Sequence, residues 1–131
     1  MKRVALALAV FVSLMLPSTS HAEWWKVGEN TSGRAFYIDT KIRQHNGLIY
    51  FWELMDYIKP DKHGDLSAKV YSEADCEKFR RRMLQDSYHT EPMGRGSSSA
   101  GGPVPDDPWR TPFPRSIAET VLETACKMAN R

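Results

Sequence analysis

Few residues in this chain are arranged for covalent chemistry. His45, His63 and His89 stand apart in sequence, and none lies in H-E-x-x-H or beside cysteine at metal-ligand spacing. His63-Gly64-Asp65 reads as a solvated polar turn. No G-x-S-x-G elbow and no phosphate-cradling G-x-x-x-x-G-K-S/T loop occurs. Glu53 and Asp56 fall on opposite faces of one strand. A hairpin turn at Asn46-Gly47 sets Ile38 opposite Met55, Asp39 opposite Leu54 and Glu53 opposite Thr40. The paired carboxylates of a glycosidase are therefore not predicted. The reading is non-enzymatic, with no metal and no cofactor.

Two groups of residues are suited to binding instead. Lys78, Arg80, Arg81 and Arg82 form the basic cluster; on a strand, Lys78, Arg80 and Arg82 line one face. Such a row suits sulfated sugar, anionic lipid or an acidic protein segment. Equally, it is a solvated, edge-protecting charged strand. Aromatic residues are dense, with Tyr50 and Trp52 on one side of the same strand. They serve either as ordinary core or as an interface, where Trp, Tyr and Arg are favoured.

The elements that position these groups alternate in the manner of an antiparallel meander. Trp24 to Glu29 is a first strand, and Asn30-Thr31-Ser32-Gly33 a turn. Ala35 to Arg43 is a second strand. Asn46-Gly47, which accepts left-handed backbone, leads into Leu48 to Ile58. Both faces of that run are largely apolar, Leu48, Tyr50, Trp52 and Leu54 against Ile49, Phe51, Met55 and Tyr57, which marks a covered central strand. Leu66 to Ala74 follows. Lys78 to His89 fits helix or strand, and the preceding meander favours strand. The Gly/Ser/Pro-rich stretch at about 92–108 reads as a mobile loop. Ser116 and Glu119 form a capping box for a C-terminal helix, whose apolar stripe includes Ile117, Val121, Leu122, Ala125 and Cys126. The fold class is α+β: about five strands packed against one helix.

The N-terminus carries an export signal. Lys2 and Arg3 precede the uncharged apolar run Val4 to Leu16, and Ser20-His21-Ala22 is a small-x-small cleavage site. The run falls short of the roughly 20 residues of a membrane span. Residues 1–22 are thus expected to leave, giving one domain over 23–131 with no transmembrane segment. Lys2 and Arg3 go with the leader and no acid does, so the formal charge of +2 falls to zero. A general pull toward nucleic acid is not implied. In an oxidising compartment the lone pair Cys76 and Cys126 is expected to bond. That bridge would staple the helix to the sheet.

Taken in order, several segments resemble the surface-adhesin protein E family of Gram-negative bacteria. They are Trp24-Trp25-Lys26-Val27, Tyr37-Ile38-Asp39 with Ile42, Trp52-Glu53-Leu54-Met55-Asp56-Tyr57, Ser72 before Cys76, and then Trp109, Pro112, Pro114, Ser116 and Cys126. The resemblance implies an antiparallel sheet, a C-terminal helix, a Cys76–Cys126 bridge and an envelope location. It also implies adhesion to host matrix and plasma glycoproteins. No cysteine lies near the cleavage site, so a lipid tether is not expected, and the stretch from Met93 to Pro108 is longer than the family pattern. The expected role is an exported binding protein, periplasmic or at the surface, taking a protein or glycan ligand outside the cytoplasm. A homodimer is one arrangement. The alternative is a periplasmic structural or assembly factor. Lys78, Arg80, Arg82, Tyr50 and Trp52 are the candidate ligand-binding residues.

Overall fold

The chain reverses at Asn46-Gly47, where both residues take left-handed backbone (φ 51° and 77°). That is the twist a two-residue hairpin needs, and it sets His45 opposite Leu48. In the computed structural model, which describes residues 22–130, this turn joins β3 (Arg43–His45) to β4 (Leu48–Asp56). The expected leader lies outside the described residues except for Ala22. β1 (Trp24–Glu29), β2 (Ala35–Asp39), β5 (Ser67–Asp75), β6 (Arg80–His89) and β7 (Ser98–Pro103) complete one antiparallel sheet. Its order is β1-β2-β4-β5-β6-β7, with β3 also paired to β4. α1 (Ile117–Ala129) follows.

The sheet has seven strands where about five were expected, for two reasons. First, the run Ala35 to Arg43 is broken. Thr40 pairs back to Glu23, and Lys41 donates its N–H to Asp39 Oδ1 at 2.9 Å. Residues 39–42 therefore pass only Phe51 and Trp52, and the ladder slips by two residues. Ile38 faces Glu53 rather than Met55. Because the slip is even, every side chain keeps its face.

Second, the stretch expected to be a loop at 92–108 holds a short 3-10 turn (Pro92–Gly94) and β7. A Cβ on Gly101 would lie 2.4 Å from the Asp86 carbonyl oxygen, so only glycine lets this backbone approach β6 so closely. The lack of side chains that argues against packing is what permits the pairing. Beyond β7, the Val104 N–H donates to the Leu84 carbonyl, Asp107 Oδ2 accepts from the Met83 N–H, and Arg110 bridges Arg81. Residues 98–110 thereby cover the outer edge of β6.

α1 packs over β1, β2 and β4. Val121, Leu122 and Ala125 close on Ile38, Ile49, Phe51 and Ala74. The helix starts as its capping box predicts: Ser116 Oγ accepts from the Glu119 N–H. The Glu119 carboxylate reaches the Arg115 N–H (3.1 Å) rather than that of Ser116. Gly28 gives room for the first turn, since a Cβ there would sit 3.1 Å from Ile117 Cδ1. Cys76, in the turn after β5, is bonded to Cys126 on α1, with Cα atoms 5.8 Å apart. The helix is thus tied to the sheet on the α1 side.

Candidate functional site

The face of the sheet turned away from α1 carries the aromatic residues. On β4 and β5, alternation sends Ile49, Phe51, Ser72 and Ala74 toward α1 and Tyr50, Trp52 and Tyr71 away from it. Trp52 and Tyr71 are cross-strand partners with ring centroids 4.9 Å apart, and Tyr50 and Tyr71 lie 6.4 Å apart. Together they form one half-buried strip. Such tilted contacts contribute about 0.5–1.5 kcal/mol beyond area burial.

The basic cluster divides between the two faces. Tyr71 pairs with Gln85 but Ser72 with Met83, so one extra residue bulges from β6 at Leu84. Arg80 and Arg82 share the aromatic face, opposite Asp75 and Glu73. Arg82 donates Nε–H to Glu73 Oε1 at 2.7 Å, and Arg80 Nε lies 3.7 Å from Asp75 Oδ2. Both guanidinium groups stack on the Trp109 ring, at 4.7 Å and 4.6 Å from its centroid. The Arg81–Arg110 backbone bridge delivers Trp109 to that position. Lys78 does not join the row. It lies before β6 in the exposed turn, where its N–H donates to Asp75 Oδ1. A tight turn that fixes Cys76 cannot also extend the strand pleat.

Neighbouring charges act on the strip. The Tyr50 hydroxyl bonds to the Glu73 carboxylate, which holds its phenol above the ordinary tyrosine range. Two shallow depressions flank the rings. One is lined by Arg43, His45, Tyr50, Tyr71 and Leu84, the other by Ala22, Trp24, Asp39, Lys41, Trp52 and Lys69. At one end of this face the 3-10 turn is fastened by the Met93 N–H to Asp56 Oδ1 (2.9 Å) and the Gly94 N–H to Ser67 Oγ (2.8 Å).

Arg81 points the other way. Its guanidinium pairs with Glu53 on the α1 side, and Glu53 also accepts from Ser72 Oγ. The sequence reading missed this pair and the two arginines on which Trp109 docks. A glutamate among the apolar residues of a central strand, with an arginine of opposite phase on a nearby strand, was the available signal. His45 and His63 are exposed, and His89 is buried beside Ser87 Oγ (2.8 Å). Among the described residues, no three His, Cys, Asp or Glu side chains converge as metal ligands. No described helix is long and apolar enough to cross a membrane.

The same fold occurs in solved structures. Crystal form II of Haemophilus influenzae protein E superposes with TM-score 0.63 at 16% identity, covering 88% of this chain and 95% of that one. A second structure of Haemophilus influenzae protein E gives 0.59 at 15% identity, covering 85% and 89%. Protein E from non-typeable Haemophilus influenzae gives 0.54 at 17% identity, covering 87% and 80%. Among curated proteins, none matches the sequence. The family model for surface-adhesin protein E matches residues 24–127, from the first strand to the last turn of α1. The chain belongs to the surface-adhesin protein E family.

Proposed function

We propose that this chain is an exported envelope protein that binds a protein or glycan ligand outside the cytoplasm through the sheet face opposite α1. One observation carries the reading. The helix covers a single face, and the other presents Tyr50, Trp52 and Tyr71 half-buried in a row. Aromatic rings of this kind bring large contact area with little side-chain entropy to lose. Arg80 and Arg82 stand at the margin of the face and brace Trp109. The acids Glu73 and Asp75 are held by those arginines, so the face offers contact rather than proton transfer.

The test is retention on immobilised reconstituted basement membrane. Trp52→Ala is expected to lower retention at least about tenfold, as for a central aromatic anchor, with the circular dichroism spectrum unchanged. Arg80→Glu with Arg82→Glu is expected to weaken it less. Undiminished retention in the folded Trp52 variant sinks the assignment of this face. Capture of a bacterial envelope protein, instead of host matrix, marks the chain as an internal assembly factor. Sedimentation that shifts to a dimer through Trp52 marks a second copy as the occupant.

A further inference from the structure

We infer that the ligand of this face is an acidic polysaccharide, laid across the Tyr50–Tyr71–Trp52 strip with its anionic groups on Arg43 and Lys69; this rests on the binding-face reading above. The charge distribution around the rings points to it. Of the acids on this face, Glu73 is paired to Arg82 and Asp75 to Arg80, Asp56 accepts the Met93 N–H, and Asp39, at the wall of the Lys69 depression, is buried and accepts the Lys41 N–H. Two cations are left over. Arg43, on β3 opposite Tyr50, and Lys69, on β5 opposite Leu54, make no ion pair among the described residues. Each lines the depression at its own end of the strip.

The spacing suits a chain rather than a point charge. Positions 50 and 54 of β4 are four residues apart, which is about 13 Å of strand. Arg43 and Lys69 lie on strands either side of β4, so the line between them runs diagonally over the rings. A sugar chain stacks its C–H faces on aromatic rings, and its sulfate or carboxylate groups recur at each repeat. It can therefore meet both cations while covering the strip. Guanidinium and ammonium groups bind such anions by charge-assisted hydrogen bonds. The two depressions beside the rings are shallow and open, which suits a ligand laid along the surface more than a buried peptide anchor.

The experiment is a tryptophan-fluorescence titration of the full exported chain with heparin, with neutral dextran and a thymidine oligonucleotide as comparisons. Saturable binding of heparin is expected, with none of dextran. Raising salt from about 50 to 200 mM should weaken it several-fold, as for displaced counterions. Arg43→Gln and Lys69→Gln should each reduce affinity about fivefold, and Trp52→Ala by more than about tenfold. Lys127→Gln, on the exposed side of α1, should leave it unchanged. Arg43 is exposed, so its variant keeps the test valid if Trp52→Ala does not fold. No heparin binding, with Trp52-dependent basement-membrane retention intact, overturns the polysaccharide and leaves the face. Retention indifferent to Trp52 overturns the face itself. Oligonucleotide binding as tight as heparin, with the same variant pattern, overturns the sugar assignment in favour of a stacking site for single strands.

Discussion

Arg81 and Arg82 are neighbours on β6, yet each pairs with a glutamate on a different face of the sheet. Arg81 reaches Glu53 beneath the α1 layer, where the two side chains are 25% and 9% exposed. Arg82 reaches Glu73 on the aromatic face, where the two side chains are 36% and 9% exposed and the arginine leans on Trp109. The α1 face is sealed by Ile38, Phe51 and Leu122, all without accessible surface, and by the disulfide. The aromatic face is closed only at its ends, by Trp109 and by the 3-10 turn over Ser67. One face holds the fold, and the other is left partly open. The two glutamates are equally buried, so the contrast between the pairs lies in the arginines: water reaches Arg82 more than Arg81.

The largest effect should come from the staple. Replacing Cys76 and Cys126 with serine releases a span of 50 residues in the unfolded chain. In the loop-entropy account that is about 4 kcal/mol. Urea unfolding should show a correspondingly lower midpoint, while the folded double variant keeps its retention on basement membrane. Lost retention at a temperature where the variant is folded would break the division of labour between the faces.

The two ion pairs sharpen the comparison next. Glu53→Gln leaves Arg81 without its partner under the helix layer and should cost about 3 kcal/mol. Glu73→Gln should cost about 1 kcal/mol or less, since water reaches Arg82. Equal losses in urea titrations would show that the two faces are not different environments.

Much of this division was legible in the sequence, because a pleated strand has a period of two. Tyr50 and Trp52 against Ile49 and Phe51 divide β4 between two faces without any register; the same alternation implies a cover on both, but α1 supplies one on the Phe51 side alone and leaves Tyr50 and Trp52 half-buried. The slip at Thr40–Ile42 left that assignment intact because it is even. The helix was legible for a related reason: its cap, its stripe and Cys126 all report on one local geometry. What was not legible depended on distant backbone. The bend that splits β2 from β3 relies on Glu23 and on the Asp39 side chain. β7 looks like linker by composition, and its place follows from how closely glycine backbone can approach Asp86. Simple alternation puts Lys78 in the row, and alternation fails in the turn that positions Cys76. The match of Glu53 to Arg81 needed the registers of both β4–β5 and β5–β6.

The smallest predicted effect tests how firmly the aromatic face is closed at its turn end. His89 lies opposite Ser67, buried, in the strand that carries β7. Burial pushes its imidazole below the ordinary value of 6.5, and the Lys69 charge pushes in the same direction, with a hydrogen bond to the Gly96 backbone and the Asp65 charge opposing. The folded state therefore binds fewer protons here than the unfolded state does. Stability from this group is fully present above the unfolded value near 6.5 and is lost as pH falls through the lower folded value. Urea midpoints measured between about pH 7.5 and 5 should decline on the acid side, and His89→Gln should flatten the decline. The α1 face has no histidine in its core cluster, so the slope belongs to the other face. Hydrogen exchange at the Met93 and Gly94 amides should speed up over the same interval, because they bond to Asp56 and Ser67 beside His89. A slope that persists in His89→Gln would place the acid-sensitive group elsewhere, and the turn end would then be held as firmly as the helix layer.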